Sequence, residues 1–388
     1  DLNKGKNMYT IKEVSGKSML RKFIKFQDDL YKDCEQYIPL LKQDEMGNLN
    51  PKVNPAYDYC EVKMLLCYKD DEVVGRICGI INRAANEKFN QKRVRICRFD
   101  FIDDIEVSRL LIKSIEEWAS EKGMTEVVGP IGFCDFDRQG MLYKGFDKVS
   151  MYVTYYNYPY YIEHMNRLGF EKDIDWLENK VYSEPLRPEL LDKICERTRT
   201  KYNLHDVELR IKKDAKPYIS KVLNLVNEAY ADLYGVVPLN ERQIQYYGKQ
   251  FLALINLRYV SIVEDENGRL VGFGVLAPAI GPTVKKIKGR LFPIGWISML
   301  RTLHNPVALD MYLIGVAKEY QRAGVNALVM RNLTKKALED GIPYAETGPE
   351  LETNYKVQGM WEAYRIEKDH KARRCFRKAI DTEAAQEA

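Results

Sequence analysis

A strand-like run, Asp310-Met-Tyr-Leu-Ile-Gly-Val316, feeds Ala-Lys-Glu-Tyr-Gln321-Arg-Ala-Gly324-Val-Asn326 and then a helical pattern. A glycine-bearing turn entering a helix aims several backbone N–H groups outward, and the helix dipole adds positive potential. That combination suits an anion such as pyrophosphate. Arg322 adds a cation able to make a charge-assisted bond. Taken alone, a glycine at a strand-to-helix junction is better read as a plain structural turn.

Other clusters suggest other chemistry. Gly132-Phe-Cys-Asp-Phe-Asp-Arg-Gln-Gly140 carries Asp135 and Asp137, which either hold an ammonium group or form a solvated acidic loop. The stretch from Pro282 to His304 mixes Lys285, Lys286, Lys288 and Arg290 with Phe292, Ile294, Trp296, Ile297, Met299 and Leu300. Such a basic, apolar segment can rest in a bilayer interface, or fold over a small core of its own. The eight cysteines form no C-x-x-C pair, and the four histidines are scattered. Buried reduced thiols and no metal site are expected.

The elements that must position these residues read as a repeat. Helical spacing from Arg109 to Gly123 matches that from Ala327 to Gly341, with Leu110, Ala119, Glu121 and Gly123 answered by Leu328, Ala337, Glu339 and Gly341. Each helix is followed by a short strand ending in Gly-Pro, at Gly129-Pro130 and Gly348-Pro349. Upstream lie strands Val94 to Phe101 and Asp310 to Val316. Further back are hairpins, Met64–Tyr68 with Val73–Ile81 and Arg258–Glu264 with Leu270–Leu276, and opening helices Lys17–Asp33 and Ala215–Tyr234.

A chain of 388 residues is long enough for two domains. The expected division is 1–183, a linker 184–206 that opens on the proline-bearing Ser183–Pro188, a second domain 207–381, and a tail 382–388. The architecture is α/β in the broad sense, α+β in detail. Composition is ordinary for a globular protein, with 30% charged and 45% hydrophobic residues. The balance of 60 basic and 56 acidic side chains, a net charge of +4, gives no field to recruit nucleic acid. Leu291 to Leu300 is too short to span a bilayer. Residues 1–8 show no signal-peptide pattern. A cytoplasmic protein with at most peripheral membrane contact through 282–304 is expected; no oligomer signal stands out.

Gln321-x-x-Gly324-x-Asn326 after such a strand resembles the acyl-CoA loop of the GNAT superfamily of N-acyltransferases, whose pattern is Gln/Arg-x-x-Gly-x-Gly/Ala; Asn326 departs at its last position. Asn354 opens the following helix, where the superfamily commonly has an asparagine near the pantetheine arm, and Leu168-Gly-Phe170 matches the superfamily's usual ending. The whole chain is similar to a tandem GNAT protein, and most closely to the bacterial family that includes ceramide synthases. Lys22-Phe-Ile-Lys-Phe26, Asn54-Pro55, Phe99-Asp-Phe-Ile-Asp-Asp104, Gly129-Pro-Ile-Gly-Phe133, Tyr156-Asn-Tyr-Pro-Tyr-Tyr161 and Gly348-Pro-Glu-Leu-Glu-Thr-Asn354 carry that likeness.

The resemblance implies two GNAT-like domains, each a twisted, mostly antiparallel mixed sheet flanked by helices. It implies acetyl-CoA or a longer acyl-CoA as donor, held by Ile314, Gly315, Val316, Gln321, Arg322, Ala323, Gly324, Val325, Asn326 and Asn354. In the first copy the matching loop is Ile102-Asp-Asp-Ile-Glu-Val107, whose carboxylates repel a pyrophosphate, so one donor site per chain is expected. In the second, Val316 would polarise the thioester carbonyl through its N–H, with Gly315 letting the strand open.

Asp310, sharing a strand face with Tyr312 and Ile314 by alternation, is favoured as general base, with Glu346 and Glu350 as alternatives. The superfamily's usual acidic tyrosine is replaced by Trp361, which leaves Tyr364, one helical turn on, as acid or as packing. The implied reaction is N-acylation of an amine, small or lipid-like, a sphingoid amine being the most specific guess, with Asp135, Asp137 and Trp296 as acceptor contacts. Two alternatives stand beside it: a non-catalytic CoA- or lipid-binding protein, and a FemABX-like aminoacyltransferase.

Overall fold

The structure is a computed structural model that describes residues 9–381; the expectations for residues 1–8 and for the tail 382–388 lie outside it. The chain forms two compact units, one running to Trp176 and resuming at Lys371, the other Leu177–His370.

In the first unit, strand Tyr9–Glu13 pairs with Cys60–Lys69, which forms a hairpin with Glu72–Asn82; Arg93–Phe101 follows, antiparallel. Glu126–Gly129 then lies parallel to Arg93–Phe101. The far end of the last strand, Tyr364–Ala379, closes this sheet, with Phe376 opposite Gly129. Helix Ile105–Glu121 buries Val107, Leu111, Ile112 and Ile115 against it. Helical spacing brings these side chains onto one face, and each contributes on the order of 1.5–3 kcal/mol on burial.

The second unit repeats the plan. Val260–Glu264 and Leu270–Pro278 form the hairpin, Leu309–Val316 follows antiparallel, and Tyr344–Thr347 lies parallel to it. The far end of strand Glu171–Pro185 closes this sheet, with Tyr182 opposite Tyr344. Helix Val325–Glu339 buries Val325, Leu328, Val329 and Leu333 on one face. Helices Lys212–Ala229 and Glu241–Leu254 cover the other.

Each unit's sheet is thus completed by a strand from beyond the chain's own half. Residues 177–206, read from sequence as the end of one domain and a linker, belong to the second unit and hold helix Pro188–Tyr202. Residues 371–381, read as part of the second domain, pack with the first. Among the described residues all eight cysteines are free and seven are buried, and no group of side chains suits a metal ion.

Candidate functional site

The site is built on the strand Leu309–Val316. Against its antiparallel neighbour the register shifts between Val275 and Leu276: Val275 faces Leu313 while Leu276 faces Met311, so Tyr312 is an extra, bulged residue. On its other edge the strand is paired only at Leu309, Asp310 and Met311, opposite Ala345, Glu346 and Thr347. Beyond Met311 the strand has no partner on this edge among the described residues, its parallel neighbour ending at Thr347, and an opening follows.

The ladder fixes which backbone groups face that opening. Ala317 donates to the Val271 carbonyl at 2.9 Å, which makes Val316–Gly272 a pair without mutual hydrogen bonds. By alternation the N–H and C=O groups of Ile314 and Val316 therefore point away from the neighbouring strand, into the opening. The Ile314 carbonyl there accepts from the Tyr230 hydroxyl at 3.0 Å.

Bulging also resets side-chain alternation. Tyr312 and Leu313 both turn toward the face covered by helices Lys212–Ala229 and Glu241–Leu254, while Ile314 packs with the opposite core. The expected common face for Tyr312 and Ile314 is thereby corrected. A Cβ at Gly315 would come within 2.5 Å of the Phe273 ring, so its bareness admits that ring.

After Val316 the chain makes a short turn, Lys318–Tyr320, and enters helix Val325–Glu339 through Gly324. Gly324 has φ +86°, and a Cβ would lie 2.7 Å from Thr198 Oγ1, so conformation and space both demand glycine. Thr198 also donates to the Ala323 carbonyl at 3.1 Å, tying the loop to helix Pro188–Tyr202. Among the described residues, the N–H groups of Arg322, Gly324, Val325, Asn326 and Ala327 meet no acceptor. These donors at a helix N-terminus fit a pyrophosphate. Arg322 is exposed beside them, and Gln321 accepts from Lys356 Nζ at 3.0 Å. Asn354 caps the short helix Tyr355–Gln358.

The corresponding place in the first unit is occupied by acid. Asp104 caps helix Ile105–Glu121, accepting from the Glu106 N–H at 3.0 Å and from the Tyr9 hydroxyl, while Asp103 faces His164 Nε2 at 3.0 Å.

Three carboxylates stand in or beside the two parallel strands. Asp310 is buried and lies beside Glu346 across the parallel pair. Glu346 also faces His370 Nε2 at 3.7 Å. Glu350, just past the second strand, accepts from the Trp361 indole N–H, 3.1 Å from each of its oxygens, and from Asn179 Nδ2 at 3.3 Å. Burial pushes the Glu350 carboxyl up to about 7, against hydrogen bonds from Trp361, Thr347 and Asn179 that favour the charged form.

The other residues singled out from sequence have surroundings of their own. Tyr364 is buried in the core under helix Val325–Glu339, its hydroxyl 3.5 Å from Thr334 Oγ1, and so packs rather than faces the opening. Asp135 and Asp137 belong to the first unit. Asp137 is engaged by the buried Arg98 guanidinium at 2.9 and 3.1 Å, and Asp135 accepts from Gln139 at 2.9 Å. This is a structural ion pair, not a solvated loop. Trp296 is exposed in helix Gly295–His304, its indole bonded to the Pro293 carbonyl at 3.0 Å.

No family model matches the chain. Over 391 residues it is 26% identical to Protein YghO of Escherichia coli (strain K12), covering 95% of each chain. Over 310 residues it is 26% identical to Bacterial ceramide synthase of Caulobacter vibrioides, covering 78% of this chain and 79% of that one. Among solved structures, a tandem GNAT protein from the clavulanic acid biosynthesis pathway superposes with a TM-score of 0.54 at 12% identity, over 96% of this chain and 99% of that one. The chain has the tandem GNAT fold. A GCN5-related glucosamine N-acetyltransferase region of a fungal multi-domain enzyme also superposes at 0.54, with 13% identity, over 97% of this chain and 39% of that one. In this tandem GNAT chain the bulged strand and the N–H-rich loop fall together in the second unit.

Proposed function

We propose that the protein is an acyl-CoA-dependent N-acyltransferase whose second unit binds the donor. The observation that carries this reading is the juxtaposition along one strand. Main-chain groups of Ile314 and Val316 face the opening, and the loop that follows within a few residues presents five N–H groups with no acceptor among the described residues.

The donor supplies an activated acyl carbonyl; everything else falls to the chain. Gln321–Asn326 and Arg322 hold the pyrophosphate, with Asn354 nearby on the pantetheine side. The N–H of Ile314 or Val316 stabilises the developing oxyanion, a role worth about 10²–10³ in rate for one such donor. Glu350 suits the general base, because a carboxyl near 7 is partly ionised at neutral pH yet basic enough to take a proton from an ammonium. With Tyr364 in the core, solvent protonates the leaving thiolate.

The acceptor is an amine of lipid-like character. Support for this comes from the insertion between the hairpin and the site strand, where Phe292, Ile294, Trp296 and Leu300 are 67%, 71%, 45% and 45% exposed. From Gly281 to His304 the sequence has no acidic residue but carries Lys285, Lys286, Lys288, Arg290 and Arg301. Exposed apolar side chains within a cationic rim fit the surface of an anionic bilayer, the source of such an acceptor. Among the described residues no helix is long and apolar enough to cross a membrane. Titration of acyl-CoA into the wild type and a Gly324→Glu variant tests the donor site.

A further inference from the structure

The insertion whose acids made it a candidate ammonium site holds, in the structure, a cation without a counter-charge. Residues 130–159 join strand Glu126–Gly129 to helix Tyr160–Arg167, where the matching connection of the second unit is only 348–354. Apart from the short strand Met141–Lys144 the insertion has no helix or strand. Its polar side chains are nevertheless buried: Arg138, Ser150 and Tyr155 are 5%, 5% and 7% exposed. A long irregular connection within a compact unit usually carries a function.

Arg138 differs from the buried Arg76 and Arg98 of the same unit. Arg76 is paired with Asp100 at 2.7 Å, and Arg98 with Glu45 and Asp137 at 2.7 and 2.9 Å. Asp137, next to Arg138 in sequence, is thereby engaged, and it accepts from the Arg138 backbone N–H at 3.0 Å. The Arg138 guanidinium lies over the rings of Tyr152 and Tyr155, 5.6 and 5.5 Å from their centroids, and donates through Nη2 to the Tyr152 carbonyl. Its Nη1 meets no acceptor among the described residues, and the hydroxyls of Ser150 and Tyr155 have no partner there either. A buried charge is costly unless it is paired. Aromatic rings offset part of that cost, but they cover the faces of a guanidinium and leave its in-plane N–H groups to a ligand. One positive charge with N–H and O–H groups to give matches a negatively charged acceptor.

We propose that this insertion binds a small oxyanion, a carboxylate or a phosphate, with the Arg138 guanidinium as counter-charge and the Ser150 and Tyr155 hydroxyls as further donors. These atoms are closed off from solvent as the segment stands, so the ligand enters by displacing the backbone of 145–159, which belongs to no helix or strand. The site lies in the first unit and does not rest on the acyltransferase reading.

Calorimetric titration of the full chain with sodium acetate and, separately, with sodium phosphate, at constant ionic strength, tells the two ligands apart. Phosphate also suits the loop of the second unit, so each titration is run on the wild type, Arg138→Met and Gly324→Glu. One of the anions is expected to bind the wild type and Gly324→Glu alike, with affinity at least about 10-fold lower in Arg138→Met. Tyr155→Phe and Ser150→Ala should each weaken it about two- to tenfold. Without anion, the denaturation midpoint of Arg138→Met should equal or exceed that of the wild type, because Met fills the space between the rings without a buried charge. Binding unchanged in Arg138→Met, binding lost only in Gly324→Glu, or no binding of either anion overturns the proposal. So does a lower midpoint in Arg138→Met with no effect of anions, which marks the arginine as packing for the two rings. If Arg138→Met or Gly324→Glu does not fold, Tyr155→Phe and Ser150→Ala decide.

Discussion

The indole N–H of Trp361 lies 3.1 Å from both carboxylate oxygens of Glu350. The tryptophan stands where the superfamily resemblance leads one to expect an acidic tyrosine. It has no proton to give at useful pH, but it steadies the ionised form of a carboxyl that burial raises to about 7.

If Glu350 is the base, kcat/KM for amine acylation rises with pH through about 7 as it ionises. Glu350→Gln should flatten that limb and lower kcat by about 10²–10⁴-fold. Trp361→Phe removes a bond to a charged group worth about 1.5–3 kcal/mol, which moves the limb to higher pH by about one to two units. Stability runs the opposite way. The folded carboxyl holds its proton up to about 7 while the unfolded one releases it near 4.5, so this group's contribution falls as pH rises between the two. Chemical denaturation across this range should show Glu350→Gln without that loss. A limb at the same pH in both variants would remove Glu350 from the reaction.

Asp137 is a test of structure against acceptor binding. Arg98 is 2% exposed and is paired with both Glu45 and Asp137, so Asp137→Ala leaves a buried guanidinium short of one partner. The expected cost is about 3–5 kcal/mol of stability, read as a lower denaturation midpoint. An unchanged midpoint with a raised KM for the amine would return Asp137 to the acceptor site.

The exposed insertion should bind anionic vesicles and not neutral ones. With vesicles of phosphatidylglycerol and phosphatidylcholine, co-sedimentation should fall with salt, since each Lys or Arg near the surface contributes about 1 kcal/mol. Trp296→Ser with Phe292→Ser should weaken it at every salt concentration. Equal sedimentation with pure phosphatidylcholine would contradict the cationic part of the account.

Much of the fold could be read before any coordinates. The paired helices after Ile102 and after Val316, and both hairpins, follow from spacing of apolar residues and turn residues alone. The strand exchange could not be read that way. Glu171–Pro185 and Tyr364–Ala379 look like ordinary terminal strands, and pairing choice depends on partners far along the chain. At the site, Gly324 was legible because its place before a helix is local. The bulge at Tyr312 was not, because strict alternation assumes an unbroken register. The raised Glu350 carboxyl was not legible either, since no spacing rule reports how far burial shifts a carboxyl.

Binding of acetyl-CoA and hexanoyl-CoA to the wild type and to Gly324→Glu, measured by calorimetry, tests the central claim most directly. At Gly324 a side chain meets both the left-handed backbone and Thr198 Oγ1, and a carboxylate adds repulsion where five N–H groups lack an acceptor among the described residues. The account predicts binding to the wild type with one donor per chain, and its loss, by at least about 100-fold, in the folded variant. Equal binding by both proteins, or none by the wild type, would contradict it.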